Sequence, residues 1–586
     1  MRAAEDRSDN PWRKSWSVRW LPDQAGPCGG GVVSPSPAPV PLTCEASDDT
    51  ARGDAEPGLP QTAFDDLYSA VYDILDDAKT SHSLVKLYKG SHAAAQPHPS
   101  VLDFGTYFLA RRQGLLGYAC QGVSSGRPPA LADLDRFDRA HAPRVSTTAA
   151  FGLLSSGLRR NGESDQDLLT YVTTRIHPLG AYRGGSSGMD EETRAFASAH
   201  FRTTGITVMP DEIVVFCGGA KGAFLAFCAA LMLRREHDDL HHLGGLMLAP
   251  AGYYQSLRLI PAIFGGDIHV MPELTSEVVR RWLHDTVPSP RRCIYVPLVN
   301  NADGHVLTRP EAYSIAHAVL EHNAAHPGSP VFVLADDVYA GSYLAPGCTG
   351  TPIASVNGDD LGEPQLGPMS YWSLTVATAS KTFALPTARV AFTATTNTWL
   401  RRAVAHYQTV FSQGRVPQVT ELMAIAAMCM TPQAWIDGWN AEYRARLTRL
   451  TSRIEAINTD VGFPAIWADP PQGGWYVPLR IAPRLIPGAA SSVDAFAALM
   501  HYGGARRNTG IALLPGDLFG CRDYGKGFLL RATLAPGEQE LCEFTSRLRE
   551  AVRLLTGPDG QRVVKQALRR ARAVADVDAI LSRCRY

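Results

Sequence analysis

Lys381 stands in Thr378-Ala-Ser-Lys-Thr-Phe-Ala-Leu-Pro-Thr-Ala-Arg389, directly after the apolar run Leu374–Ala377. Only eight of the 586 residues are lysine. One at the end of a strand-like run, flanked by hydroxyls and followed by an arginine, is a candidate reactive amine. Asp336-Asp-Val-Tyr339 follows Val331–Ala335 in the same way. An acid closing an apolar strand is costly unless something pairs with it, although a helix N-cap is the other reading of Asp336. After Cys293–Pro297 comes Leu298-Val-Asn-Asn-Ala-Asp-Gly304, a polar loop with two adjacent amides. After Ile213–Phe216 comes Cys217-Gly-Gly-Ala-Lys-Gly-Ala-Phe224. Such a glycine-rich turn opening a helix can hold a phosphate on backbone N–H groups, or can be only a tight connection.

Two other constellations have chemical spacing. His237-x3-His241-His242 could face a metal from one side of a helix, but Asp238 and Asp239 between them suit a solvated helix end. Ser83-Leu-Val-Lys86 fits an acyl-enzyme Ser-x-x-Lys pattern without that pattern's companion motifs. No metal site is expected.

These strand-end residues need a sheet to position them. The β-branched runs Ile213–Phe216, Gly245–Leu248, Ile268–Met271, Cys293–Pro297, Val331–Ala335, Leu374–Ala377 and Arg389–Thr393 mostly alternate with helix-like spacing, as in Ala223–Arg235 and Arg309–His322. That alternation predicts an α/β domain over 183–415 on a mostly parallel seven-stranded sheet flanked by helices. Ligands then sit at the strands' carboxyl ends. Helical segments Glu421–Met430 and Trp435–Asn458, then strands near Tyr476–Arg480 and Phe528–Thr533, predict a smaller α+β domain over 416–556. Residues 557–586 hold a basic helix, Arg562–Arg572, and 61–182 read as a segment joining the small domain and the site. Residues 1–60, with the run Val33-Ser-Pro-Ser-Pro-Ala-Pro-Val-Pro41, show no apolar period and read as a disordered or loosely attached extension.

Composition narrows the function classes. Lys+Arg 56 against Asp+Glu 57 gives no basic field for nucleic acid or an anionic membrane. The longest apolar run, Ala223–Leu233, is short of the ~20 residues of a bilayer span. Met1–Trp20 carries charges and prolines where a signal peptide has its apolar centre. Eleven cysteines without a CxxC pair suit reduced thiols, so a cytoplasmic protein is expected.

Taken in order over roughly 180–550, these motifs resemble the pyridoxal-phosphate enzymes of fold type I, in the class I/II aminotransferase branch, aspartate aminotransferase-like. Thr378–Arg389 resembles the Ser-x-Ser-Lys…Arg signature. The resemblance implies Lys381 as the Schiff-base lysine, with Thr378, Ser380 and Arg389 on the cofactor phosphate and Gly219-Ala220-Lys221 as the phosphate turn. Asp336-Asp-Val-Tyr339 is similar to Asp-Glu-x-Tyr, which implies Asp336 on the pyridinium nitrogen and Tyr339 on the ring hydroxyl. Asn301-Ala-Asp-Gly304 stands where the family has Asn-Pro-Thr-Gly, implying Asn301 at the ring hydroxyl and beside the substrate. Leu530-Arg531-Ala-Thr resembles the strand whose arginine clasps the substrate α-carboxylate. Pro471-Gln-Gly-Gly-Trp-Tyr476 and Gly510-Ile-Ala-Leu-Leu-Pro-Gly-Asp-Leu-Phe-Gly520 resemble small-domain segments. The ring stacked on the cofactor is Tyr253 or Tyr254, with spacing to Gly265 favouring Tyr254. Tyr182 lies where the family lends a tyrosine to the neighbouring subunit's phosphate, which implies a homodimer with shared sites.

The activity implied is transfer of an amino group from an α-amino acid through external aldimine and quinonoid. Departures from pattern (Asn301-Ala-Asp-Gly304, Thr387 and Ala391 in place of glycines, the insert Gly341–Tyr371) suit a divergent enzyme of specialised, natural-product biosynthesis. They also leave open β- or γ-elimination, replacement or carbon–carbon bond formation, including on S-adenosylmethionine. A non-catalytic, cofactor-binding regulator is the weaker alternative, because residues 1–60 offer no basic helical pair.

Overall fold

The computed structural model describes residues 63–81, 83–87, 131–149, 191–233, 245–412, 416–503 and 509–583, with a few isolated positions between 92 and 166. Tyr182, the 1–60 extension and the His237–His242 cluster lie outside these residues.

The first described elements are helix Ala63–Ser81 and strand β1 (Ser83–Lys86). The Ser83–Lys86 stretch is thus a strand and not the turn of a helix. Next come β2 (Ile213–Cys217), β3 (Leu246–Pro250), β4 (Asp267–Met271), β5 (Arg292–Pro297), β6 (Phe332–Asp336), β7 (Ser373–Thr378) and β8 (Val390–Ala394). They form one seven-stranded sheet in the order β2-β8-β7-β6-β5-β3-β4. All pairs are parallel except those of β8, which runs antiparallel to both β2 and β7. Each of the seven runs read from sequence is a strand of this sheet, shifted by no more than two residues. Their near-continuous apolar character is explained by burial on both faces. One face packs on Ala220–Met232 and Thr398–Ser412 through Val214, Phe216, Phe224, Phe227, Leu400 and Val404. The other packs Ile294, Val296, Val333 and Ala335 against Ile315 and Val319 of Arg309–Ala325. Pairwise parallel registers put the ends of β5, β6 and β7 side by side, for Pro297 pairs Asp336 and Asp336 pairs Val376. The loops that follow these ends therefore share one rim.

A smaller layer follows: β9 (Ile466–Ala468), β10 (Tyr476–Ile481), β11 (Thr509–Ala512), β12 (Leu514–Pro515) and β13 (Phe528–Thr533). Strands β12-β13-β10-β9 make an antiparallel sheet, while β11 pairs in parallel with β1. Helices Gln433–Val461, Ser492–Met500 and Glu538–Thr556 cover it. The basic segment at the C-terminus is helix Gly560–Val574, which buries Val564, Ala567, Leu568 and Ala571 and turns its arginines outward. Arg570 pairs with Asp77 at 2.7 Å. The insert 341–371 is a string of short 3-10 turns (Ile353–Ser355, Asp359–Leu361, Pro364–Leu366, Met369–Tyr371) with no strand of its own. Among the described residues no helix is long and apolar enough to cross a membrane.

Candidate active site

The turn after β2 has two consecutive glycines at positive φ, Gly218 at +87° and Gly219 at +70°. This conformation is cheap only for glycine. Gly219 caps helix Ala220–Met232, and a Cβ there would lie 3.1 Å from Nη2 of Arg389. The arginine closes the turn: its Nη2 donates to Gly218 O at 2.7 Å, and its backbone oxygen accepts from Gly219 N–H at 2.8 Å. Arg389 is itself held at φ +52°, a strain that a fixed guanidinium position requires. A helix N-terminus, an arginine and Lys221 in the first turn make a cradle for a dianion.

Beyond β7, the Thr378 side chain accepts from Ser380 N–H at 2.9 Å, folding the chain sharply so that Lys381 turns back over the rim. Its ammonium lies 5.4 Å from the centre of the Tyr339 ring. Asp336 closes β6, fully buried, with Oδ2 accepting from the Tyr295 hydroxyl at 2.6 Å. Burial lifts this carboxyl to about 6, opposed by the Tyr295 bond, the Val338 N–H and the charge of Lys381. An acid so placed gains from a cationic partner. On the opposite wall Arg531 of β13 hydrogen-bonds Asn301 Oδ1 and lies over the rings of Tyr476 (3.8 Å) and Phe519 (4.5 Å). These contacts fix the position of its fork. Tyr253 is fully buried in the apolar layer, whereas the half-buried Tyr254 takes Lys221 over its ring at 5.6 Å, and its backbone N–H reaches the Tyr295 hydroxyl.

The structure thus gathers Lys381, Asp336, Tyr339, Asn301, Arg531, Thr378, Ser380, Arg389, Gly219, Ala220, Lys221 and Tyr254 on the carboxyl-end rim. Tyr253 stands in the layer beneath it. Tyr295 and Tyr476 were not singled out from sequence. Tyr295 sits within an apolar run, and only the register, which sets it diagonally across from Asp336, makes it a partner. Tyr476 hydrogen-bonds both Tyr339 and Lys381. Burial alone would push its phenol up, but the charges of Lys381 and Arg531 and these bonds hold it below the usual tyrosine range. Ultraviolet titration is expected to show one tyrosine ionising ahead of the others. Tyr476→Phe should remove that step and, by deleting one charge-assisted hydrogen bond, slow turnover about tenfold. An unchanged titration in the variant would reject this placement of the phenol.

The second acid of the pair behaves differently. Asp337 is fully buried, its Oδ2 meets no partner among the described residues, and burial, with Asp336 alongside, pushes its carboxyl up to about 8. A carboxyl raised in the folded state binds its proton more tightly there than in the unfolded chain. Its contribution is therefore intact at low pH and lost as pH rises from about 4 toward 8. Thermal unfolding should show stability falling over that window. Asp337→Asn should flatten the fall, and an equally steep fall in the variant would place the titrating group elsewhere.

A turn for a phosphate, a buried acid for a ring nitrogen, and a lysine between them fit pyridoxal phosphate in chemistry and in arrangement. Fold and rim define a pyridoxal-phosphate enzyme of fold type I. Residues 182–548 match the model of the aminotransferase class I and II family. The chain belongs to this family and is a pyridoxal-phosphate-dependent transferase. Among solved structures, aspartate aminotransferase of Thermus thermophilus with maleate is 18% identical, with TM-score 0.54, covering 84% of this chain and 97% of that one. Aspartate aminotransferase of Rhizobium meliloti is 17% identical, with TM-score 0.57, covering 84% and 99%. N-Succinyldiaminopimelate aminotransferase of Mycobacterium tuberculosis is 18% identical, with TM-score 0.54, covering 84% and 97%. At these identities the likeness shows the fold. No curated protein matches the chain in sequence.

Proposed function

We propose that the chain transfers the amino group of an α-amino acid to a 2-oxo acid, as a homodimer in the cytoplasm, in specialised biosynthesis. The observation that carries the reading is the single rim that joins Lys381, the Tyr295–Asp336 pair and the Arg531–Asn301 pair. Pyridoxal phosphate, when bound, supplies the electron sink for electrons left on the substrate's α-carbon. Arg389, Thr378, Ser380 and the Gly219-Ala220-Lys221 turn would hold its phosphate, and Tyr254 would stack on its ring. Asp336, oriented by Tyr295, would keep a proton on the ring nitrogen, and Asn301 and Tyr339 would serve the ring hydroxyl. Arg531, with Asn301 fixing its fork, grips the substrate α-carboxylate. Lys381 holds the cofactor and then, as a free amine, takes the α-proton and delivers it. Tyr182, outside the described residues, is proposed to reach the phosphate of the neighbouring subunit.

The test is stoichiometry. With a reactive amino acid and no 2-oxo acid acceptor, each site is expected to release one equivalent of 2-oxo acid product and stop, and an added acceptor restarts it. Repeated turnover without acceptor, with a side-chain group released, would replace amino transfer by elimination or replacement.

A further inference from the structure

A second cavity of about 500 Å³ lies behind the catalytic rim, lined by neither Lys381, Asp336, Asn301 nor Arg531. Its walls come from the end of helix Glu191–Thr203, the start of helix Gln433–Val461, and the chain after Tyr339. The volume suits a small metabolite.

Its polar lining is cationic. Arg144 is held by Val145, whose N–H donates to Cys429 O at 3.0 Å. Its guanidinium lies 5.6 Å from the centre of the Phe383 ring, and Nη2 reaches Thr203 Oγ1 at 3.4 Å. Nη1 is buried and has no partner among the described residues. Burial lowers the affinity of this guanidinium for its proton, with Cys429 and Tyr343 opposing the effect. A half-buried arginine whose Nη1 is buried and unpaired is costly, and an oxyanion bound by two parallel hydrogen bonds relieves that cost. Arg444 stands at the exposed rim, and Thr204 and Asn440 add neutral polar groups. Among the described lining residues the one acid, Asp437, accepts from Gln433 Nε2 at 2.9 Å.

We propose that this cavity is a second binding site, for a small metabolite bearing a carboxylate or phosphate held between Arg144 and Arg444. The site adjoins the catalytic turn. Thr382 and Phe383 follow Lys381 directly; Thr382 Oγ1 donates to Ala340 O at 2.9 Å, and Asn440 Nδ2 donates to Gly341 O at 2.8 Å. An occupant thus touches the residues that brace the lysine turn, as a substrate-like or phosphorylated effector would.

The experiment is calorimetric titration of the full-length holoenzyme after borohydride treatment, which keeps added phosphate out of the cofactor's own phosphate turn. Inorganic phosphate and malonate are the two probes. Saturable binding is expected for at least one, and the tighter probe tells a phosphate source from a carboxylate source. Arg144→Gln should weaken it at least about tenfold. Arg444→Gln, at an exposed position where folding is not at stake, should weaken it about threefold. Arg531→Gln should leave it in place. Absence of saturable binding, affinity untouched by Arg444→Gln, or binding lost with Arg531→Gln alone would overturn the proposal.

Discussion

Lys381→Ala is expected to lose turnover by at least about 10⁴-fold, the upper range for a single positioned proton-transfer group, because the same side chain also anchors the cofactor. The loss should come with an intact fold. Lys381 lies at the surface of the rim, half-buried, and the turn around it is held by Thr378, Ser380 and Thr382 rather than by the lysine. Borohydride reduction followed by peptide mapping checks the assignment independently of rate: the pyridoxyl label should fall on Lys381 in the wild type and vanish in the variant. A label on Lys221, the other lysine at the rim, would remove Lys381 from its role.

Asp336→Asn should produce the second large loss. The substitution keeps shape and volume but removes the charge that a protonated ring nitrogen requires. Breaking a buried charge pair of this kind costs about 3–5 kcal/mol, which corresponds to a turnover drop of roughly 10²–10⁴-fold. Cofactor affinity should fall far less, since the turn of Gly218, Gly219 and Arg389 proposed to hold the phosphate is untouched. Tyr295→Phe is the companion variant: it removes the 2.6 Å bond that aims the carboxylate and leaves the charge. Near-normal turnover in Asp336→Asn would shift the assignment to Asp337.

The large sheet was legible because parallel strands buried on both faces must be apolar throughout, and their ends are marked by the first polar residues. Asp336 and Lys381 stand at such ends and were marked by type and position, whereas in the loop after Pro297 only the resemblance chose Asn301 over its neighbour Asn300. Arg531 was less visible, being an arginine inside the apolar strand Phe528–Thr533, and only family resemblance drew attention to it. Tyr295 and Tyr476 were hidden for a physical reason. A tyrosine in a buried strand reads as core packing until register shows which acid or amine its hydroxyl meets. Between Tyr253 and Tyr254 the spacing to Gly265 favoured Tyr254 only slightly, because neighbours in a loop have no fixed period. The cavity beside Arg144 depends on three segments far apart in the chain, a juxtaposition that no local pattern encodes.

The parallel pairing of β1 with β11 joins Ser83 to Thr509 and Leu84 to Gly510, and helix Ala63–Ser81 packs on the last helices, Gly560–Val574 and Val577–Arg583. During synthesis the seven-stranded sheet is complete in sequence once Ala394 has emerged, while the first helix and strand still await partners made last. At ribosomal rates of about 5–20 residues per second, the nearly 200 residues between Ala394 and the C-terminus take on the order of ten seconds or more. For that interval the apolar face of Ala63–Ser81, with Leu67, Val71, Ile74 and Leu75, has no native cover from the C-terminal helices. Such sequence-distant closure slows folding, and it leaves the apolar face of this helix among the last to gain its native cover.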